Sequence, residues 1–95
     1  MFIAAAKMKI YIEWSFSLKD KRQVRYSLKD RLRKDWNVSV SEVEKQDSHK
    51  ELVLGISSVQ ISETSAENFL QNIEEFVSQN TDAELQEFEY DIIKF

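Results

Sequence analysis

Hydrophobic positions along this chain keep two different rhythms. Met8, Ile10 and Ile12 alternate with Lys7, Lys9, Tyr11 and Glu13, the period-two signature of a strand with one face covered. From Ser17 the interval lengthens. Val24, Leu28 and Leu32 recur every four residues and, with Leu18, predict a helix from Ser17 to about Asp35 whose apolar stripe ends near Trp36. Ser17 suits the N-cap, and Asp20 stands three residues on, where a carboxylate meets the N-terminal dipole; such caps contribute about 1 kcal/mol.

The second half repeats the scheme. Val38-Ser39-Val40 predicts a second strand, but the next apolar residue is Val43 instead of position 42, which predicts a bulge or the strand's end. The polar segment from Glu44 to Lys50 suits a hairpin loop. Leu52 to Ile61 is apolar on both sides and holds the only glycine, Gly55, as a central strand can. Thr64 to Glu67 has the form of a second capping box, and Ala66, Phe69, Leu70, Ile73, Phe76 and Val77 fall within an arc of about 120° on a helical wheel. Leu85 to Phe95 reads as a last strand. The order βαββαβ predicts an α+β ferredoxin-like fold, a single domain over 1–95 with two helices on one face of a four-stranded antiparallel sheet. Right-handed crossovers place strands one and three in the middle and strands two and four at the edges.

With 95 residues there is room for one core. The absence of cysteine excludes disulfides, thiolate metal sites and cysteine nucleophiles. No apolar run approaches the roughly 18 residues of a membrane span, so the chain reads as a cytoplasmic protein with no membrane partner. Charge changes the picture more. Ser17 to Lys34 holds eight of the thirteen lysines and arginines against two of the seventeen carboxylates, a local excess of six positive charges in a chain of net charge -4. The rest holds five bases against fifteen carboxylates, an excess of ten negative charges. On the first helix Arg22, Arg25, Lys29 and Arg33 share a stripe about 80° wide, bordered by Tyr26 and little neutralised by Asp20 or Asp30. Like charges at i,i+4 cost a few tenths of a kcal/mol each, so the stripe calls for compensation. Solvent with the acidic remainder of the molecule, phosphates of RNA, or an acidic protein partner would each supply it. The five residues are the candidate nucleic-acid-binding set.

The runs Ser17-Leu18-Lys19-Asp20-Lys21-Arg22, Ser27-Leu28-Lys29-Asp30-Arg31-Leu32-Arg33 and Asn37-Val38-Ser39-Val40-Ser41-Glu42-Val43, with Gln46-Asp47 and Leu54-Gly55 further on, resemble the bacterial YlxP-like family, a domain of unknown function. The resemblance covers nearly the whole chain. It implies a ferredoxin-like fold and, because the family is often encoded beside translation-initiation and ribosome-maturation factors, a connection with RNA or the ribosome. Where that family usually has an aromatic residue two positions after the Gln-Asp pair, this chain has His49.

Catalytic chemistry finds no foothold. His49 is the only histidine and lies in a polar loop with no marked nucleophile as partner. Glu42, Glu44 and Asp47 are close enough in sequence for a divalent cation, yet acids are ordinary in turns. A ferredoxin-like acylphosphatase would need a glycine-rich anion loop after the first strand, which one glycine in the third cannot provide. The chain is therefore expected to be no enzyme, with no metal, cofactor or small-molecule substrate. An RNA-recognition motif would need stacking aromatics on its middle strands, and Leu54-Gly55-Ile56 has none. Basic-helix contact with the RNA backbone is the form that remains. A rival reading comes from the last strand, where Phe88, Tyr90 and Ile92 share one phase while Leu85, Ile93 and Phe95 share the other. One face would stay wet, so a homodimer through the open sheet is expected, with Tyr90 exposed on it.

Overall fold

Small side chains extend the first strand beyond the bulky alternation. In the computed structural model, which describes residues 1–95, β1 (Phe2–Tyr11) begins five residues before Lys7 because Ala4 and Ala6 continue the buried phase. The helix α1 (Leu18–Asp35) starts where Ser17 caps it. The Ser17 hydroxyl accepts the Asp20 amide at 3.1 Å, and the Asp20 carboxylate accepts the Phe16 amide at 3.1 Å, so two N–H groups outside the helical ladder find partners. β2 (Ser39–Glu44), β3 (Glu51–Gln60), α2 (Glu63–Gln79) and β4 (Glu84–Lys94) complete the βαββαβ order. The sheet runs β2-β3-β1-β4, antiparallel at every pairing, with strands one and three in the middle.

Three local features differ from or sharpen the sequence reading. α2 is capped by Ser62, whose hydroxyl accepts the Ser65 amide at 3.0 Å; Thr64, expected as the cap, is already helical. The β2–β3 register shifts between Glu42 and Glu44, so the jump to Val43 is a bulge within a longer strand and not the strand's end. The β1–β4 register shifts between Lys9 and Ile10, leaving Gln86 as the extra residue. That second bulge moves Leu85 opposite Ile10, into the phase of Phe88, Tyr90 and Ile92. Tyr90 pairs with Ala6 and so belongs to the helix-covered side, not to the open face where the sequence reading placed it.

The core lies between the helices and one face of the sheet. Met8, Ile10, Leu28, Leu32, Leu52, Leu54, Ile73 and Val77 are at most 1% exposed. Trp36 closes one end, edge-on to Phe76 with ring centres 4.5 Å apart. The open face is more polar than expected. Its central rows carry Lys7, Lys9, Ser41, Ser57, Glu87 and Glu89, with Val53 buried opposite Lys9 and Val43 lying over Gly55 among them, while at one end Val59, Ile3 and Ile93 form an apolar row across three strands.

Candidate nucleic-acid interface

The stripe on α1 runs beside the edge strand β2. Arg25 Nη1 donates to Glu42 Oε1 at 2.7 Å, and Lys21 Nζ lies 2.7 Å from Glu42 Oε2. The Lys21 ammonium also donates to the backbone oxygens of Lys45 and Ser48, both at 2.7 Å, which pins the hairpin loop to the helix. Lys21 is 1% exposed. Glu42 Oε2 accepts no well-aligned hydrogen bond, so its contact with Lys21 is an ion pair more than a directional bond. Arg33 Nη2 donates to the Val40 oxygen at 3.3 Å.

The five candidate residues are thus brought to one flank of α1, but they differ in what they are free to do. Arg22, Lys29 and Arg33 take part in no ion pair within 4.0 Å. Tyr26 is 62% exposed, with the Arg25 guanidinium 5.5 Å from its ring centre. Arg25 itself is half-buried, and its compensating charge comes from β2 instead of from α1, which a reading confined to the helix could not see. Lys21 was one of the eight cations of the stretch and proves structural. Its phase was informative: it lies seven residues before Leu28, on the buried stripe, where a lysine needs a carboxylate and carbonyls within reach.

Sequence reasoning passed over the loop between β1 and α1. Phe16 is 79% exposed and Trp14 47% exposed, beside the first turn of the helix. Lys50 Nζ stands 4.8 Å from the Phe16 ring centre and donates to the Glu13 carbonyl. Two large aromatic residues within four positions, in a segment bounded by Glu13 and Ser17, were the available signal. The acids Glu42, Glu44 and Asp47 are not brought together. Glu42 serves Lys21 and Arg25 on the helix side, Glu44 pairs with Lys7 at 2.6 Å on the open face, and Asp47 stays in the exposed loop. The hydrogen bond and then the charge of Glu44 push the Lys7 ammonium above its ordinary pKa, and the hydrogen bond from Lys7 holds the Glu44 carboxyl below its own.

A family model described as "Protein of unknown function (DUF503)" matches residues 3–90. The chain belongs to the DUF503 family. This agrees with the YlxP-like resemblance carried by Lys21-Arg22 and Glu42-Val43, and the geometry shows that two of those motif residues form one ion pair, the buried Lys21 with the half-buried Glu42. No curated protein matches the chain at a significant level. Among solved structures, this DUF503 chain is similar to the de novo designed protein Foldit4, at 11% identity and a TM-score of 0.57, over 99% of this chain and 97% of that one. It is also similar to the de novo designed protein LFR1 1 with ferredoxin fold, at 15% identity and a TM-score of 0.50, over 100% of this chain and 88% of that one. At such identities the likeness establishes the ferredoxin-like fold alone.

Proposed function

We propose that this DUF503 protein is a non-enzymatic RNA-binding protein of the cytoplasm, associated with RNA or the ribosome through α1. Arg22, Lys29 and Arg33 neutralise phosphates, Arg25 contributes in part, and Tyr26 offers a ring face beside them. One observation carries this reading: in a chain with more carboxylates than bases, three cations on one flank of α1 remain outside every ion pair. Backbone contact of this kind positions a protein on RNA and is weakly sequence-specific. No helix is long and apolar enough to cross a membrane.

The test is a titration with single- and double-stranded RNA at several salt concentrations. Three neutralised phosphates give a slope of log affinity against log salt of about -2 to -3. Arg22→Ala flattens the slope by roughly one unit, and Arg25→Ala by less, because Glu42 already answers its charge. RNA binding that survives charge reversal of Arg22, Lys29 and Arg33 together removes α1 as the site.

A second reading rests on the row Val59–Ile3–Ile93. Val59 is 60% and Ile93 48% exposed, and Ile61 at the same end is 90% exposed. A homodimer through this end of the open sheet would cover them. Sedimentation equilibrium measures it, and Ile93→Lys takes the place of any substitution at Tyr90 as the variant that splits the dimer. A protein that stays monomeric at high micromolar concentration excludes this reading.

A further inference from the structure

β4 leaves one backbone edge without a partner strand. Its only partner strand is β1, so alternate N–H and C=O groups of its regular portion, Glu87 to Lys94, point away from the sheet, and of these only the Ile92 amide is answered locally, donating to Asp91 Oδ1 at 2.8 Å. Exposed edges are usually blunted by proline, by inward-pointing charge or by lysine. This one has no proline and a single lysine, Lys94, at its end. Its bulge lies at the far end, near Gln86, and leaves the regular portion open.

The two sides of this edge carry different chemistry. On the helix side, α2 overhangs a groove of about 370 Å³ whose floor is Leu70, Phe88 and Tyr90 and whose rim includes Glu67 and Glu74. Tyr90 is 65% exposed although its register opposite Ala6 puts it on the covered side, because no strand lies beyond it. On the open side, Glu87, Glu89 and Asp91 stand opposite Lys9, Lys7 and Ala5, and Lys7 is already drawn to Glu44 at 2.6 Å. Carboxylates therefore outnumber their local cations along the edge.

We propose that β4 accepts a basic extended segment of a partner protein as a fifth strand. Its alternate apolar side chains enter the groove beneath α2, and its intervening lysines or arginines pair with Glu87, Glu89 and Asp91. The backbone ladder supplies affinity, and the alternation supplies specificity. A second copy of this chain does not fit. The only other edge, β2, carries Glu42 and Glu44, and β4 laid against itself would set carboxylates opposite carboxylates. The proposal is independent of RNA binding, since none of its residues lies on α1.

The test uses the whole chain, isotopically labelled for NMR, and a synthetic peptide of about nine residues, long enough to span roughly 30 Å of strand, alternating lysine with valine around one central phenylalanine. Amide shifts and slowed hydrogen exchange are expected in β4 and in Glu67 to Glu74 of α2. Glu87→Lys/Glu89→Lys should weaken binding tenfold or more. Should that variant fail to fold, Tyr90→Ser, at an exposed ring outside the core cluster, replaces it with the same expectation. A fully N-methylated peptide keeps the side chains and charge but has no N–H to donate, and should not bind. Shifts mapping to other elements, equal affinity of the N-methylated peptide, or no binding at millimolar concentration would each overturn the proposal.

Discussion

Single residues decide two features that hydropathy does not show. A Cβ added at Gly55 would stand 2.8 Å from Val43 Cγ1, so the bulged valine of β2 lies directly over the glycine of β3. Glycine here serves close approach, since its φ is not in the left-handed region. Gly→Ala gains about 0.4–1 kcal/mol through the unfolded chain, while forcing a stiff β-branched neighbour aside costs about 1–3 kcal/mol. Gly55→Ala should therefore lose about 1 kcal/mol net, and Val43→Ala in the same chain should restore most of it, as chemical denaturation of the two single variants and the double variant would measure. The buried Lys21 is the larger case. Breaking a buried ion pair by deleting one partner costs about 3–5 kcal/mol, and the low end applies because Arg25 still holds Glu42 Oε1. Lys21→Met should lose about 3 kcal/mol and free the hairpin loop, visible as faster amide exchange from Lys45 to Lys50. Arg25→Ala, at a more exposed position, should lose no more than about 1 kcal/mol. If the two substitutions cost the same, Lys21 is not the clamp that its contacts describe.

At the scale of elements, the apolar periods specified most of the architecture, because a 3.6-residue and a two-residue rhythm bury different sets of side chains. Ile73 of α2 and Leu54 of β3 are both fully buried, and replacing either by alanine should lose about 2–4 kcal/mol in denaturant unfolding. A loss below about 0.5 kcal/mol at either position would contradict the packing. The phase of β4 was not legible. A single extra residue, Gln86, reverses the faces on its two sides, and nothing in the local composition marks it. The candidate site was legible as a cluster of cations on α1, but the division between structural and free cations depended on Glu42, which arrives from another element. The same limit hid the tie between Lys7 and Glu44, which spans β3 to hold the edge strand β2 to β1. The lowered Glu44 pKa makes its stabilisation complete above the ordinary glutamate value and lost as pH falls through the lowered one. The raised Lys7 pKa makes its share complete below the ordinary lysine value and lost as pH rises through the raised one. Amide exchange in β2, referenced to β1, should therefore quicken on acidification below about pH 4, and Lys7→Met should abolish that dependence. Identical pH profiles in both proteins would remove the tie from the account of this edge.

The whole molecule separates two kinds of surface that respond oppositely to salt. The flank of α1 holds Arg22, Lys29 and Arg33 outside every ion pair, whereas the end of the open sheet around Val59, Ile3 and Ile93 is apolar. Ions released from phosphates make the first interaction fall steeply with ionic strength, while burial of apolar surface is little affected by screening. From about 50 mM to about 500 mM salt, RNA affinity through three cations should drop by roughly 100- to 1,000-fold. Over the same range a sheet-mediated dimer should change by less than about threefold. A third possibility belongs to the charge asymmetry itself: the cationic flank of one copy could attract the acidic β4 side of another, and that contact would weaken with salt as RNA binding does. Such a head-to-tail contact does not close on itself, so it would produce a continuous series of larger species instead of a dimer. Sedimentation across the salt series, repeated with Ile93→Lys and with the charge-reversed α1, separates these outcomes. A dimer that persists at high salt and is split only by Ile93→Lys belongs to the open sheet. Self-association that disappears with salt, and with reversal of Arg22, Lys29 and Arg33, would show instead that the basic flank is satisfied by the acidic side of its own kind.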